Sequence, residues 1–216
     1  FDKTCHPPSV TEIGESAFVG CSSLRSLDIP ESVMSIGRNA FAGCRSLSSL
    51  DIPNNVTEIR DGTFDGCGSL MTLSIPASVT QIGQGTFVGC SSLTSLTIPE
   101  SVTCIKDGAF DGCSSLRSLT FLPGLMSIGN YAFAGCSSLT RLDIPHSVTE
   151  IGGGAFDGCS SLTSLTIPET VRKIGPCAFH GCISLTNLQL PKSFGGVDAS
   201  QNDGCDASFP AKRRRT

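Results

Sequence analysis

The chain has no tryptophan and a single tyrosine, Tyr131, among 216 residues. Compact, tight interfaces are anchored mainly by Trp, Tyr and Arg, so this shortage argues against a small, high-affinity footprint. Charge is also sparse: Asp, Glu, Lys and Arg make up 16% of the residues, and the isoelectric point is about 5.3. Lys212, Arg213, Arg214 and Arg215 hold four of the fifteen basic residues, which leaves residues 1–211 with 11 Lys and Arg against 19 Asp and Glu, a balance of −8. Such a body is no general polyanion binder, and no nucleic-acid partner is expected. No run approaches the roughly 18–20 apolar residues that a membrane-spanning helix requires. The chain opens at Phe1 without an initiator Met, so the lack of a recognisable signal peptide says nothing about a leader.

Glycine and proline are plentiful, 24 and 12 residues, and mark many turns. Cysteines stand every 23 residues at Cys21, Cys44, Cys67, Cys90, Cys113, Cys136, Cys159 and Cys182. A phenylalanine precedes each by three residues, from Phe18 to Phe179, and leucines follow at three and six residues, from Leu24 and Leu27 to Leu185 and Leu188. An Ile-Pro pair then ends most copies, as at Ile52–Pro53 and Ile167–Pro168, while the sixth copy slips to Phe121–Leu122–Pro123. In L-x-x-L-x-I the alternation sends Leu and Ile inward and the residues between them outward. The following Pro ends the strand because it has no N–H for the ladder. The V-x-x-I-G segment, as in Val148–Gly152, forms the other side of the coil, and the A-F-x-G-C turn closes it.

A repeat of this length and core resembles a leucine-rich repeat, and the fuller pattern L-x-x-L-x-I-P-x-S-V-x-x-I-G-x-x-A-F-x-G-C-S-S resembles the BspA-like class over about Ser9 to Pro191. The expected fold is an α/β-type repeat solenoid: a right-handed leucine-rich repeat coil with a parallel strand face and few or no regular helices. One coil cannot bury its own apolar side, so the array is stable only as a stack. Residues 1–8 read as a decayed N-terminal strand, with Phe1, Thr4 and His6 in its inward slots. Residues 9–191 read as the solenoid, and 192–216 as a partial last repeat, where Phe194 and Val197 keep the pattern, followed by a polar tail. Neither end shows a clear polar cap, which leaves self-association through the ends open.

Strands in neighbouring coils lie ~4.8 Å apart, so the eight repeat cysteines should form a column. Side chains sharing one direction make poor disulfides, supply no converging zinc ligands, and have no His at a matching position to serve as a base. They read as small buried apolar residues. Cys5, Cys104, Cys177 and Cys205 lie outside the column. The stretch Cys177-Ala-Phe-His180-Gly-Cys182 has metal-like spacing, but Phe179 and Cys182 belong to the core, so no metal or cofactor is expected. The redox compartment is left open.

Function in such an array belongs to the outward positions that vary. On the strand face these are Ser26 and Asp28, Ser49 and Asp51, Thr72 and Ser74, Ser95 and Thr97, Ser118 and Thr120, Arg141 and Asp143, Ser164 and Thr166, with Asn187 and Gln189 in the last coil. They form a hydroxyl-rich floor with charge near both ends, and the resemblance implies that this face is concave. Asp28 and Asp51 fall on adjacent strands where like charges repel, with Arg25 or a bound cation the available relief. Arg141 and Asp143 partly satisfy each other. His6, His146 and His180 all lie away from these positions, so no Ser-His-Asp grouping arises. Gly152-Gly153-Gly154 lacks the Lys-Ser/Thr of a phosphate loop. No enzymatic activity is expected.

A broad polar face of modest affinity, multiplied over many copies, fits a protein-binding scaffold. The BspA-like resemblance implies a microbial cell-surface or secreted adhesion role with an extracellular-matrix or host protein as partner. The rival reading is an intracellular, even nuclear, adaptor addressed by Lys212, Arg213, Arg214 and Arg215, although a basic terminus also reads as a solubilising tail. Asn55-Val56-Thr57 matches a glycosylation sequon, as chance allows in a Ser/Thr-rich chain. Ice or carbohydrate binding requires an unbroken hydroxyl array, which Asp28, Asp51 and Arg141 interrupt.

Overall fold

The computed structural model describes residues 10–194. They form a parallel β-solenoid whose coils superpose residue i on residue i+23. Among the described residues there is no α-helix, only a 3-10 turn at Lys192–Phe194.

Three walls bound each coil. The L-x-I wall carries the expected strands, but as three short sheets: Ser49–Asp51 with Thr72–Ser74, Ser95–Ile98 with Ser118–Phe121, and Arg141–Asp143 with Ser164–Thr166 and Asn187–Gln189. The V-x-x-I wall holds the longest sheet, eight two-residue strands from Glu12–Ile13 to Lys173–Ile174. A two-residue strand is too short to announce itself by alternation, which is why the V-x-x-I-G pattern reads only as the far side of the coil. The A-F-x-G-C turn makes the third wall. It is no regular strand, yet its amides bond carbonyls of the next coil, as in Ser16 N to Arg38 O at 2.8 Å, Phe18 N to Ala40 O at 2.7 Å and Gly20 N to Ala42 O at 2.7 Å.

That turn reverses the chain through two left-handed positions. The glycine before each column cysteine has φ between 65° and 74°, from Gly20 to Gly181. Four residues earlier, four coils use Gly and four use Ser16, Asn39, Tyr131 and Cys177, with φ from 52° to 56°. L-residues adopt this conformation at a cost of ~1–2 kcal/mol, so the surrounding ladder holds them there.

Inside, the eight repeat phenylalanines form one stack with ring centroids 5.0–5.8 Å apart and planes within 15°. Phe121, at the slipped copy, meets this stack edge-on against Phe133 at 6.0 Å. Columns of Leu, Ile and Val fill the rest, and Val33, Leu47, Val79, Leu93, Val148 and Leu162 are wholly buried. Where Thr63 and Thr86 replace the usual alanine before Phe, each buried hydroxyl donates to a carbonyl three residues back, at 2.7 and 2.8 Å, so neither is left unsatisfied.

The glycine of V-x-x-I-G is required by close approach. A β-carbon on Gly129 would lie 2.6 Å from the Asp107 amide nitrogen, and Gly37, Gly83, Gly152 and Gly175 are as tightly placed against the preceding coil. Two coils carry Arg60 and Lys106 at this position, and there the ladder stands off. The Lys106 amide reaches the Ile82 carbonyl at 3.2 Å, where Gly129 reaches Ile105 at 2.8 Å. The Ser35–Ile36 and Glu58–Ile59 strands register through Ile36 and Ile59 alone. Gly129→Ala should therefore destabilise the fold by about 1–3 kcal/mol, the usual cost of forcing atoms into a packed site. Lys106→Gly should stay within about 1 kcal/mol of the parent, the entropy cost of an added glycine. Denaturant melts followed by circular dichroism test both.

Candidate functional site

The cysteine column is structural, and its geometry says why cysteine is chosen over alanine. Each thiol from Cys44 to Cys182 donates to the carbonyl of the phenylalanine 26 residues earlier, at 3.1–3.3 Å. The same carbonyl accepts the amide of its own coil's cysteine, as in Cys44 N to Phe41 O at 3.0 Å. The side chain thus fills a small apolar slot and stitches one coil to the next. Burial pushes the thiols of Cys67, Cys113 and Cys182 up to about 12, and those of Cys44, Cys90, Cys136 and Cys159 upward as well. Thiolate is the reactive form, so the column from Cys44 to Cys182 is inert. Cys21 at its open end is exposed, and Cys104 on the V-x-x-I wall is half-buried; both are free thiols. Cys177 is disulfide-bonded. Brief iodoacetamide treatment of the native protein should alkylate Cys21 and Cys104 and spare the column thiols Cys44, Cys67, Cys90, Cys113, Cys136, Cys159 and Cys182 until denaturant is added, as read by peptide mapping.

The metal-like stretch Cys177–Cys182 resolves into separate roles. Cys182 donates to Phe156 O at 3.1 Å, and His180 Nδ1 lies 2.7 Å from Asp157 Oδ1 one coil earlier. Among the described residues no three His, Cys, Asp or Glu side chains converge on a point. Phe1, Thr4, His6, Cys5, Cys205 and the Lys212–Arg215 cluster lie outside the described residues.

The strand-face positions do share one surface. From Ser49 to Gln189 their side chains point out of the L-x-I wall in register, with only Ser164 half-buried. Ser26 and Asp28 are exposed too, but residues 24–30 form no regular strand. Arg141 Nε approaches Asp143 Oδ1 at 3.7 Å with both side chains in solvent, a pairing worth little by itself. Arg25 makes no ion pair with Asp28 or Asp51. It is instead the Arg25 carbonyl that works, accepting the amide and hydroxyl of Ser48 at 3.1 and 3.3 Å. Thr166 and Gln189 meet across coils at 3.5 Å.

A second feature escaped the sequence pattern. The V-x-x-I wall is recessed into a groove of about 600 Å³ running from Gln84 to Pro176, with Cys104, Lys106, Asp107 and Glu150 on its sides and Gly129, Gly152 and Gly175 among its lining. A side-chain ladder borders it: Asp107 Oδ1 accepts the Asn130 amide, and Asn130 Oδ1 accepts the Gly153 amide, both at 2.8 Å. The ladder stops at Gly153, which has no side chain and faces Pro176 in the next coil, a residue with no N–H to satisfy. The available signals were Lys106 in a glycine column and Cys104 outside the cysteine column.

The A-F-x-G-C turn carries a sparser column, Asp65, Asp111 and Asp157, on alternate coils. Burial raises the Asp65 carboxyl pKa, and burial followed by the Asp157 charge raises that of Asp111. Ionised Asp111 therefore opposes folding at neutral pH, and the opposition vanishes below the unfolded carboxyl pKa of ~3.9. Asp111→Asn should raise the melting temperature at pH 7 and leave it unchanged near pH 3.

The sequence profile of the BspA type leucine rich repeat region matches residues 2–110 and 80–207. Among solved structures, the chain is similar to a leucine-rich repeat protein from Bacteroides ovatus, at 26% identity over 89% of this chain and 73% of that one with a TM-score of 0.53. It is similar to the leucine rich repeat protein of T. pallidum at 34% identity, covering 82% and 72% of the two chains, TM-score 0.64. A leucine-rich repeat protein from Eubacterium ventriosum aligns at 26% identity and a TM-score of 0.68, over 73% of this chain but 43% of that one. No curated protein matches the chain significantly.

Proposed function

The chain belongs to the BspA-type leucine-rich repeat family, and from that premise we propose that it is a non-enzymatic protein-binding scaffold displayed at a microbial cell surface for adhesion. The observation that carries this reading is the L-x-I wall: a Ser/Thr-rich row of outward side chains from Ser49 to Gln189, held in register within three short parallel sheets. A solenoid offers such a face as one extended binding surface. Its side chains are mostly short hydroxyls with no Trp or Tyr among them to anchor a partner, and the Arg141–Asp143 ion pair among them is solvated. Each contact is therefore weak, and affinity comes from area and from many copies on one cell. Adhesion to a matrix or host protein uses that regime.

The experiment is a binding assay of the folded Arg141→Glu/Thr166→Glu double variant on a panel of immobilised extracellular-matrix proteins, beside surface labelling of intact cells that make the protein. The parent should be labelled from outside, and the variant should lose about tenfold or more in affinity, the effect of roughly 1.4 kcal/mol. Unchanged binding would remove this face from the reading. Absence of surface label together with a cytosolic or nuclear pool would remove the adhesion role.

A further inference from the structure

We infer that the groove on the V-x-x-I wall is a second binding site, one that takes an extended acidic peptide segment of a partner protein and seats a carboxylate on Lys106. This goes beyond the strand-face proposal and does not depend on it, because the two surfaces lie on different walls of the coil.

Shape gives the first argument. The groove runs from Gln84 to Pro176, four coil steps of ~4.8 Å, and therefore measures about 19 Å, the length of about six extended residues. Gly129, Gly152 and Gly175 leave the backbone bare along it, so a bound main chain can approach the sheet closely. No aromatic ring lines it for a sugar to stack upon. Tyr131, the nearest candidate, lays its ring over the Cα of Gly154 in the next coil.

Charge gives the second. The repeat supplies an internal comparison in two coils that carry a cation where the others have glycine. On Glu58-Ile59-Arg60 the guanidinium has a carboxylate two residues away, with Arg60 Nε 3.7 Å from Glu58 Oε2. On Cys104-Ile105-Lys106 the same outward position holds a thiol, and Lys106 has no ion-pair partner among the described residues. The carboxylates nearby are already engaged. Asp107 accepts the Asn130 amide at 2.8 Å and its Nδ2 at 3.1 Å, and Glu150 faces Lys173 at 3.9 Å. Lys106 is half-buried as a residue, and its ammonium forms no ion pair among the described residues. In a chain whose residues 1–211 hold 11 Lys and Arg against 19 Asp and Glu, such a cation is complementary to a carboxylate supplied from outside.

The test pans random peptides displayed on phage against the immobilised full chain and sequences the enriched clones. Synthetic copies of the leading peptides are then titrated against Lys106→Gly, Lys106→Glu and Arg141→Glu/Thr166→Glu chains. Glycine is the repeat's own residue at this position, so Lys106→Gly keeps the fold while removing the cation. The expected result is enrichment of Asp- or Glu-bearing peptides, about tenfold weaker binding to Lys106→Gly, still weaker binding to Lys106→Glu, and unchanged binding to the strand-face variant. Enrichment without acidic residues overturns the proposal, as does indifference to both Lys106 substitutions. So does failure to enrich, and so does capture of oligosaccharides on a glycan array by a Lys106-dependent site that ignores peptides. Loss of binding in the strand-face variant alone would overturn this site and leave the strand-face reading standing.

Discussion

No coil of this chain can satisfy its own interior, and the stacking of each coil on the next at a fixed 23-residue register is the constraint on which everything else rests. The phenylalanine carbonyl shows it at the scale of one atom. Phe41 O accepts the Cys44 amide from its own turn and the Cys67 thiol from the next coil, so its two lone pairs are filled only when two coils meet. The rings behave alike, each lying against neighbours at 5.0–5.8 Å and shielded on both sides only inside the stack. Stability of such an array is close to a sum over adjacent coils, and a misplaced coil loses its amide bonds, its thiol bond and its ring contact together.

This constraint sorts the residues into those that may vary and those that may not. Positions facing the stack are fixed by volume: Phe, Cys, Leu, Ile and Val recur because a change in one coil is felt in two interfaces. Positions that the backbone itself crowds are fixed to glycine. Outward side chains are the ones free to vary, and on the L-x-I and V-x-x-I walls they line up as long rows. The same logic removes the column cysteines from Cys44 to Cys182 from chemistry, because the column that makes them abundant also buries them.

Most of the fold was legible because it is periodic. Phe, Cys, Leu and Ile-Pro at constant spacing fix the coil, the register and the inward side chains, and the exposed rows from Ser49 to Gln189 follow from alternation. Three things were hidden. The longest sheet lies on the V-x-x-I wall, where each strand has two residues and leaves no alternating pattern. The relief expected from Arg25 for Asp28 and Asp51 does not form, because a side chain's reach is not written in its spacing. The groove between Gln84 and Pro176 depends on how closely glycine backbones approach, which a consensus reports only as a preference for Gly. The slipped sixth copy also left a trace beyond any pattern. Ser32, Ser78, Ser101 and Thr170 each donate to a carbonyl 22 residues earlier at 2.5–2.9 Å, while Ser147, whose counterpart carbonyl is in the slipped coil, has a buried hydroxyl without a partner.

Departures from the repeat therefore carry more information than the repeat, provided they are sorted by what compensates them. Thr63 and Thr86 depart from alanine and are compensated locally by their own hydrogen bonds. Asn130 in the turn is compensated by the Gly153 amide it accepts. Arg60 loosens the ladder at Ile36 and recovers a carboxylate at Glu58. Lys106 lengthens its ladder bond to 3.2 Å and recovers nothing among the described residues. Sequences that break a local rule without compensation inside the fold do so mainly at functional positions, and Lys106 meets that description while standing in the wall's groove. Asp65 and Asp111 are the contrasting case: their carboxyls carry a burial cost, but neither lines the groove that Lys106 does.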